Sequence, residues 1–260
     1  MMKCGLLGET LGHSYSPEIH SKLGDYEYKL YEKKPEEVET FLRTGDFTGL
    51  NVTIPYKKTV LPILDEISET ASAVGSVNTI VRRDGRLIGD NTDVFGFMKM
   101  VEHSGISVQG RKTLVLGSGG ASVAVMYALE TMHALPIVIS RTGENNYTNL
   151  YKHADAEIIV NTTPVGMYPK VGVSPIELDM FENLKGVLDI IYNPTETELL
   201  RLAKERNLPC ENGLYMLIAQ AAGSSELFTG SSFAIDEAIE KIYNEMSTGV
   251  ATGVSTRDGE

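Results

Sequence analysis

Apolar positions along this chain change period several times, and each change predicts an element. Lys3 to Leu7 and Tyr26 to Tyr31 read as strands, and Ser16-Pro17 opens a short helix between them, with proline at its first position. Pro35 starts a helix whose Val38, Phe41 and Leu42 fall at helical spacing. Leu50, Val52 and Ile54 then alternate, which predicts a strand that Pro55 terminates, with Lys57 just beyond its end. A helix through Ile67, Ala71 and Val74 is stopped by Gly75. Strands at Asn78 to Val81 and Leu87 to Gly89 flank Arg82-Arg83-Asp84-Gly85, whose Asp-Gly step signals a hairpin. Together these make an α/β unit with its own core.

The register changes from Val94 onward. A helix through Phe97 and Val101 ends near Gly105. Thr113 to Leu116, Ile137 to Ile139, Ile158 to Val160 and Val187 to Ile191 are short, apolar and rich in β-branched residues, as parallel strands covered on both faces are. A helix from Ser122 to about Met132 lies between the first two, giving the opening unit of a Rossmann-type sheet. Thr195-Glu196-Thr197-Glu198 has the form of a capping box for a helix carrying Leu199, Leu202 and Ala203. Two helices follow Gly213, the second with Ile235, Ala238, Ile239, Ile242, Tyr243 and Met246 on one stripe. From Ser247 to Glu260 no apolar period remains, and a frayed end is expected.

Composition narrows the partners. The chain has 260 residues, 42% of them hydrophobic and 22% charged, which suits one large core or two modest ones. The net charge of −12 argues against nucleic acid, whose phosphates demand a basic face. No apolar run has membrane-span length, and no metal-ligand spacing joins Cys4 to Cys210, so no membrane and no metal are expected. Two cysteines in so long a chain suggest the cytoplasm.

Gly117-Ser118-Gly119-Gly120-Ala121 follows an apolar strand and opens a helix, the context in which backbone N–H groups and a helix N-terminus hold a pyrophosphate. A tight turn without a ligand is the plain alternative. Where NAD sites carry an acidic residue at the end of the second strand, this chain has Ser140-Arg141-Thr142. A guanidinium flanked by hydroxyls suits the 2′-phosphate of NADP; a solvated loop arginine is the alternative.

Six motifs occur in order: Gly12-His13-Ser14-Tyr15-Ser16-Pro17, Asn51-Val52-Thr53-Ile54-Pro55-Tyr56-Lys57, Val77-Asn78-Thr79, Asp90-Asn91-Thr92-Asp93, Asn161-Thr162-Thr163-Pro164-Val165-Gly166-Met167 and Gln220-Ala221-Ala222. On these the chain resembles the shikimate dehydrogenase family over nearly its whole length. The resemblance implies reversible reduction of 3-dehydroshikimate to shikimate with NADPH, on the route to aromatic amino acids. It implies a catalytic pair, Lys57 and Asp93. Ser14 and Ser16 would hold the substrate carboxylate, and Thr53, Asn78, Asp93 and Gln220 its ring hydroxyls, with Tyr192 nearby. The cofactor is expected against Gly117, Ser118, Gly119, Gly120 and Ala121, Ser140, Arg141 and Thr142, Thr162, Thr163 and Pro164, and Ile190, Gly213 and Met216. The implied fold is two-domain α/β. Residues 1–93 and 214–260 form an N-terminal substrate domain completed by the C-terminal helices, and residues 94–213 a Rossmann-type NADP-binding domain. A monomer or homodimer is expected.

The residue chemistry is compatible with these roles. Hydride delivered to a ketone leaves charge on oxygen, where a cationic donor such as lysine stabilises it and supplies the proton. Each residue also has a plainer reading. Ser16 could be a helix N-cap and Asp93 could cap the next helix. Lys57 beside Lys58 could be a solvated pair, Asn78 could order a strand entrance, and Gln220 could be a polar helix-face residue. His13 reads as a surface loop residue without a catalytic role. Three positions depart from the family pattern. A second basic residue is missing after Arg141, Ser140 replaces asparagine, and Phe228 stands where tryptophan is common. The rival readings are a quinate/shikimate dehydrogenase preferring NAD and a catalytically silent protein that senses nucleotide or shikimate.

Overall fold

The computed structural model describes residues 1–12 and 14–251; His13 and the stretch from residue 252 onward lie outside the described residues. Two sheets carry the architecture. The first contains β1 (Lys3–Gly8), β2 (Glu27–Glu32), β3 (Gly49–Val52), β4 (Glu66–Ile67), β5 (Thr79–Arg83) and β6 (Arg86–Asp90), in the order β2-β1-β3-β5-β6-β4. It is mixed: β3 and β5 pair antiparallel, as do β5 and β6. The β5–β6 hairpin turns on Asp84 and Gly85, at φ 50° and 78°, the positive pair that a two-residue turn between right-twisted strands requires.

Around this sheet lie α1 (Ser16–Leu23), α2 (Pro35–Thr44), α3 (Tyr56–Thr59) and α4 (Glu69–Val74). The strand period sorts the faces of β3. Leu50 and Val52 join Leu7, Val38, Leu42 and Ile80 in a core under α2. The intervening Gly49 and Asn51 point toward the C-terminal helix α8 (Leu214–Thr229). A Cβ at Gly49 would lie 2.2 Å from the Phe228 ring, so only glycine lets helix and strand approach this closely. α8 then packs with α1 and α9 (Ile235–Ala251) through Ile19, Ile218, Ala222, Ile239 and Ile242.

The second sheet is parallel throughout, in the order β11-β10-β9-β7-β8, from β7 (Lys112–Leu116), β8 (Leu135–Ile139), β9 (Ile158–Asn161), β10 (Gly186–Asp189) and β11 (Cys210–Glu211). Its alternation serves two cores. Val115 and Val160 face α5 (Thr92–Ser104) and α6 (Gly120–Thr131), while Leu114, Leu116 and Ile159 face α7 (Glu198–Glu205) and Phe181. The chain leaves β7 toward β8 on one side and later returns as β9 on the other, which makes the carboxyl end of β7 a topological switch point.

Several elements differ from the sequence expectations. β3 ends at Val52, and Ile54 lies beyond it, 72% exposed, rather than on the buried face. Ile67 sits in the two-residue edge strand β4, not in a helix; α4 begins at Glu69, where Ser68 accepts a hydrogen bond from the Ala71 N–H. The cap of α7 is Thr197, whose hydroxyl accepts from the Leu200 N–H, so the helix starts two residues later than a box on Thr195 requires. β10 stops at Asp189, and Ile190 and Ile191 leave the sheet. α9 continues through Ser247 to Ala251, and the rest of the expected frayed end lies outside the described residues. Among the described residues no helix is long and apolar enough to cross a membrane.

Candidate active site

The cation and the carboxylate come from different elements. Pro55 ends the turn after β3, and α3 presents Lys57; the hairpin strand β6 runs into α5, whose second residue is Asp93. Lys57 Nζ lies 2.6 Å from Asp93 Oδ2, with both side chains largely sheltered, at 18% and 10% exposure. A solvated Lys57–Lys58 pair is therefore not what forms. The other carboxylate oxygen, Asp93 Oδ1, accepts from Asn78 Nδ2 at 2.9 Å. Asn78 is held in turn, since its Oδ1 accepts from the Thr92 N–H at 2.7 Å. Gln220 Oε1 stands 3.4 Å from Asn78 Nδ2, and Gln220 Nε2 donates to the Leu217 carbonyl.

Neither expected cap is the cap. Asn91 closes the N-terminus of α5, its side chain accepting from the Asp93 N–H, which leaves the Asp93 carboxylate free for Lys57 and Asn78. Tyr15 occupies the cap position of α1 without a side-chain bond, and Ser16 is the first helical residue, its N–H donating to Ser14 Oγ at 3.2 Å.

A cavity of about 310 Å³ opens between the two sheets. Ser14, Ser16, Thr53, Lys57, Asn78, Asp93, Tyr192 and Gln220 all line it. Ala121, Ile190, Gly213 and Met216 line the same cavity from the side of the second sheet. Gly213 is needed there: a Cβ would lie 2.0 Å from the Ile190 carbonyl oxygen. Sequence reasoning left out Asn51, Leu6, Val52, Ile54 and Leu217, which also line it. Asn51 had a signal, as a polar residue inside an apolar strand. Its Oδ1 accepts from Tyr28 at 2.7 Å and its Nδ2 donates to Ser224 at 2.7 Å. Behind Tyr28 stacks His20, whose ring burial pushes down to about 3 and so keeps neutral, bonded to the Tyr26 hydroxyl.

The remaining expected residues gather at one edge of the second sheet. Register pairs Leu116 with Ile139 and with Asn161, and Asn161 with Asp189. Gly117, Ser140, Thr162 and Ile190 each follow directly, so four loops leave the sheet side by side. Gly117 has φ 104°, and a Cβ on it would meet Thr163 at 2.9 Å and Thr162 at 3.0 Å. Gly119 and Gly120 are different. Among the described residues a Cβ on either would reach nothing within 4 Å beyond its own turn, and no side chain caps α6 at Gly119. The turn thus presents bare backbone and a helix N-terminus to open space, which fits a dinucleotide pyrophosphate. Arg141 and Thr142 are exposed, Ser140 donates to the Thr142 carbonyl, and Arg141 has no hydrogen-bond or ion-pair partner among the described residues. An unpaired guanidinium one loop from the turn fits a phosphate beyond it. Thr162 donates to the Leu116 carbonyl, Thr163 to Asn161 Oδ1, and Pro164 is exposed.

With this geometry in place, the comparisons are specific. The pattern of the shikimate dehydrogenase substrate binding domain matches residues 6–80. A shikimate dehydrogenase (NADP(+)) of Clostridium perfringens is 38% identical, over 93% of this chain and 97% of its own. The crystal structure of shikimate dehydrogenase 1 from Peptoclostridium difficile superposes with a TM-score of 0.87 at 36% identity, covering 96% of this chain and 99% of its own. A shikimate 5-dehydrogenase from Thermus thermophilus, in complex with NADP(H) and shikimate, superposes at 0.81 with 31% identity, covering 93% and 99%.

Proposed function

The chain belongs to the shikimate dehydrogenase family, and on that footing we propose that Lys57 and Asp93 carry the proton half of its reaction, the reversible reduction of 3-dehydroshikimate to shikimate with NADPH. One observation carries the assignment: the 2.6 Å ion pair lies in the wall of a cavity that the glycine turn also reaches, through Ala121.

NADPH, when bound, supplies the hydride, and no other cofactor chemistry is required. The protein's share is charge, proton and position. As hydride reaches the carbonyl carbon, negative charge grows on oxygen; the Lys57 ammonium stabilises it and gives up a proton to form the hydroxyl. In the oxidative direction the neutral amine takes that proton back. Asp93 holds Nζ in place through Oδ2, and Asn78 fixes the carboxylate through Oδ1. Ser14 and Ser16 are assigned to the substrate carboxylate, and Thr53, Asn78, Asp93, Gln220 and Tyr192 to the ring. These hydroxyls and amides matter because the net charge of −12 opposes an anionic substrate at long range.

We assign the cofactor to the Gly117–Ala121 turn and the loops after β8, β9 and β10, with Arg141 on the 2′-phosphate. The reading places the enzyme in the cytoplasm, as a monomer or homodimer acting on a small molecule. Mixing the purified protein with 3-dehydroshikimate and following cofactor absorbance tests it. Oxidation of NADPH far faster than NADH is expected. Equal rates with the two would remove Arg141 from the 2′-phosphate, and no oxidation of either would remove the activity.

A further inference from the structure

Asp189 ends β10 with a fully buried carboxylate, and among the described residues no cation lies within bonding distance of it. Its partners are all neutral. Oδ1 accepts from Asn161 Nδ2 at 3.1 Å and from the Ile191 N–H at 3.1 Å, and Oδ2 accepts from the Thr197 hydroxyl at 2.7 Å. A buried acid is costly to keep in a parallel sheet when an apolar residue would fill the same place, so its arrangement calls for a reason.

The partners of Asn161 supply one. An amide can face either way, but a carboxylate only accepts, so Asp189, at the shorter of the two Nδ2 contacts (the Val165 carbonyl is the other, at 3.4 Å), draws Nδ2 toward itself and leaves Oδ1 facing away. Oδ1 then accepts from both the Thr163 N–H at 3.0 Å and the Thr163 hydroxyl at 2.7 Å. The corner so fixed is the surface that packs against Gly117, where an added Cβ would already collide with Thr162 and Thr163. At the other end, the Ile191 N–H bond sets how the chain leaves β10 past Ile190, which lines the cavity.

We propose that Asp189 is a positioning residue of the dinucleotide site: by orienting the Asn161 amide it fixes the Thr162–Thr163 corner that supports the glycine turn. This rests on reading that turn as the cofactor site. Asp189 touches neither hydride nor proton.

The test is cofactor binding, measured by fluorescence titration of NADPH and NADH separately, alongside the KM for shikimate at saturating NADP. Asp189→Ala should weaken NADPH and NADH in the same proportion, by about tenfold, since the turn serves the pyrophosphate common to both. The shikimate KM should change less, by no more than about twofold, because among the residues assigned to shikimate only Tyr192, next to the Ile191 that Asp189 holds, adjoins this network. Asp189→Asn, which keeps an acceptor for Asn161, should recover most of the loss. If Asp189→Ala does not fold, Asn161→Ala breaks the same relay and should show the same cofactor-only loss. Unchanged NADPH affinity in a folded Ala variant, or equal loss toward shikimate, would overturn the proposal. Wild-type protein that binds NADPH without turning over 3-dehydroshikimate would instead sink the proposed activity and leave the role of Asp189 testable by the same titration.

Discussion

Replacing Lys57 with methionine keeps the length of the stem and removes only the ammonium. If that group supplies the proton, kcat should fall by roughly 10²–10⁴, with a melting temperature close to wild type; near-normal turnover would take lysine out of the mechanism. Asp93→Asn is a sharper test than the sequence allowed, because aspartate at a helix start is ordinarily read as a cap. Asn91 is the cap in fact, so the variant should lose activity without losing stability. A drop in melting temperature with activity per folded molecule intact would reverse that assignment. The ambiguity was inherent in the sequence: Ser16 and Asp93 are side chains that serve caps and substrates equally well, and only the fold shows which atoms are already taken. Asn51 was missed for a related reason: a polar residue inside an apolar strand is a signal, but its alternation with Leu50 and Val52 fits an ordinary outward face equally well. Asp189 adds a pH prediction. Burial pushes its carboxyl up to about 6, against hydrogen bonds from Thr197, Ile191 and Asn161 that pull it down. Between its ordinary value near 4 and about 6, the folded state holds a proton that the unfolded state has released. Stability from this group therefore falls as pH rises through that window and is flat above it, by at most about 3 kcal/mol. Asp189→Asn removes the term, so its stability relative to wild type should improve from pH 4 to pH 7 in denaturant titrations; a constant difference would show that Asp189 titrates normally.

The seam between α5 and α8 brings Asp93 and Gln220 to Asn78, and Gly96 sets its width. A Cβ there would lie 2.7 Å from the Met216 carbonyl oxygen and 2.9 Å from Gln220 Cβ. Gly96→Ala is a favourable change for an isolated helix, yet here it must push two packed helices apart. It should cost roughly 1–3 kcal/mol and raise the shikimate KM as Gln220 moves from the cavity. A stabilised variant with normal KM would show that the seam has room. The long periodic helices and the apolar strands were legible in the sequence because their burial repeats over many residues. The elements that escaped include β4 and β11, two residues each, and the single turn of α3, all too short for any period to register. The start of α7 was misplaced because Thr195 and Thr197 are chemically alike, and the deciding bond is Thr197 to buried Asp189, a contact across sequence that no local pattern carries.

At the scale of the molecule, the order of elements announced a second, parallel sheet, whereas the cleft between the sheets was expected only from family resemblance. Nothing in the periodicity of α8 says that it covers the first sheet while its Met216 joins the core of the second. That double membership has a consequence for cooperativity. α5 and α8 each pack into the cores of one sheet and border the other, so the two sheets cannot part without breaking the seam that holds Asn78, Asp93 and Gln220. Shikimate, although its assigned contacts come mostly from the first sheet, should therefore stabilise both. At a concentration a hundredfold above its dissociation constant the gain is about 2.7 kcal/mol, which for a chain of this size moves a single melting transition up by roughly 5–10 °C. NADP, assigned to the second sheet, should move the same transition. Calorimetry showing two transitions, with shikimate raising one and NADP the other, would mean that the sheets melt independently and that the seam is no more than a contact between two separate bodies.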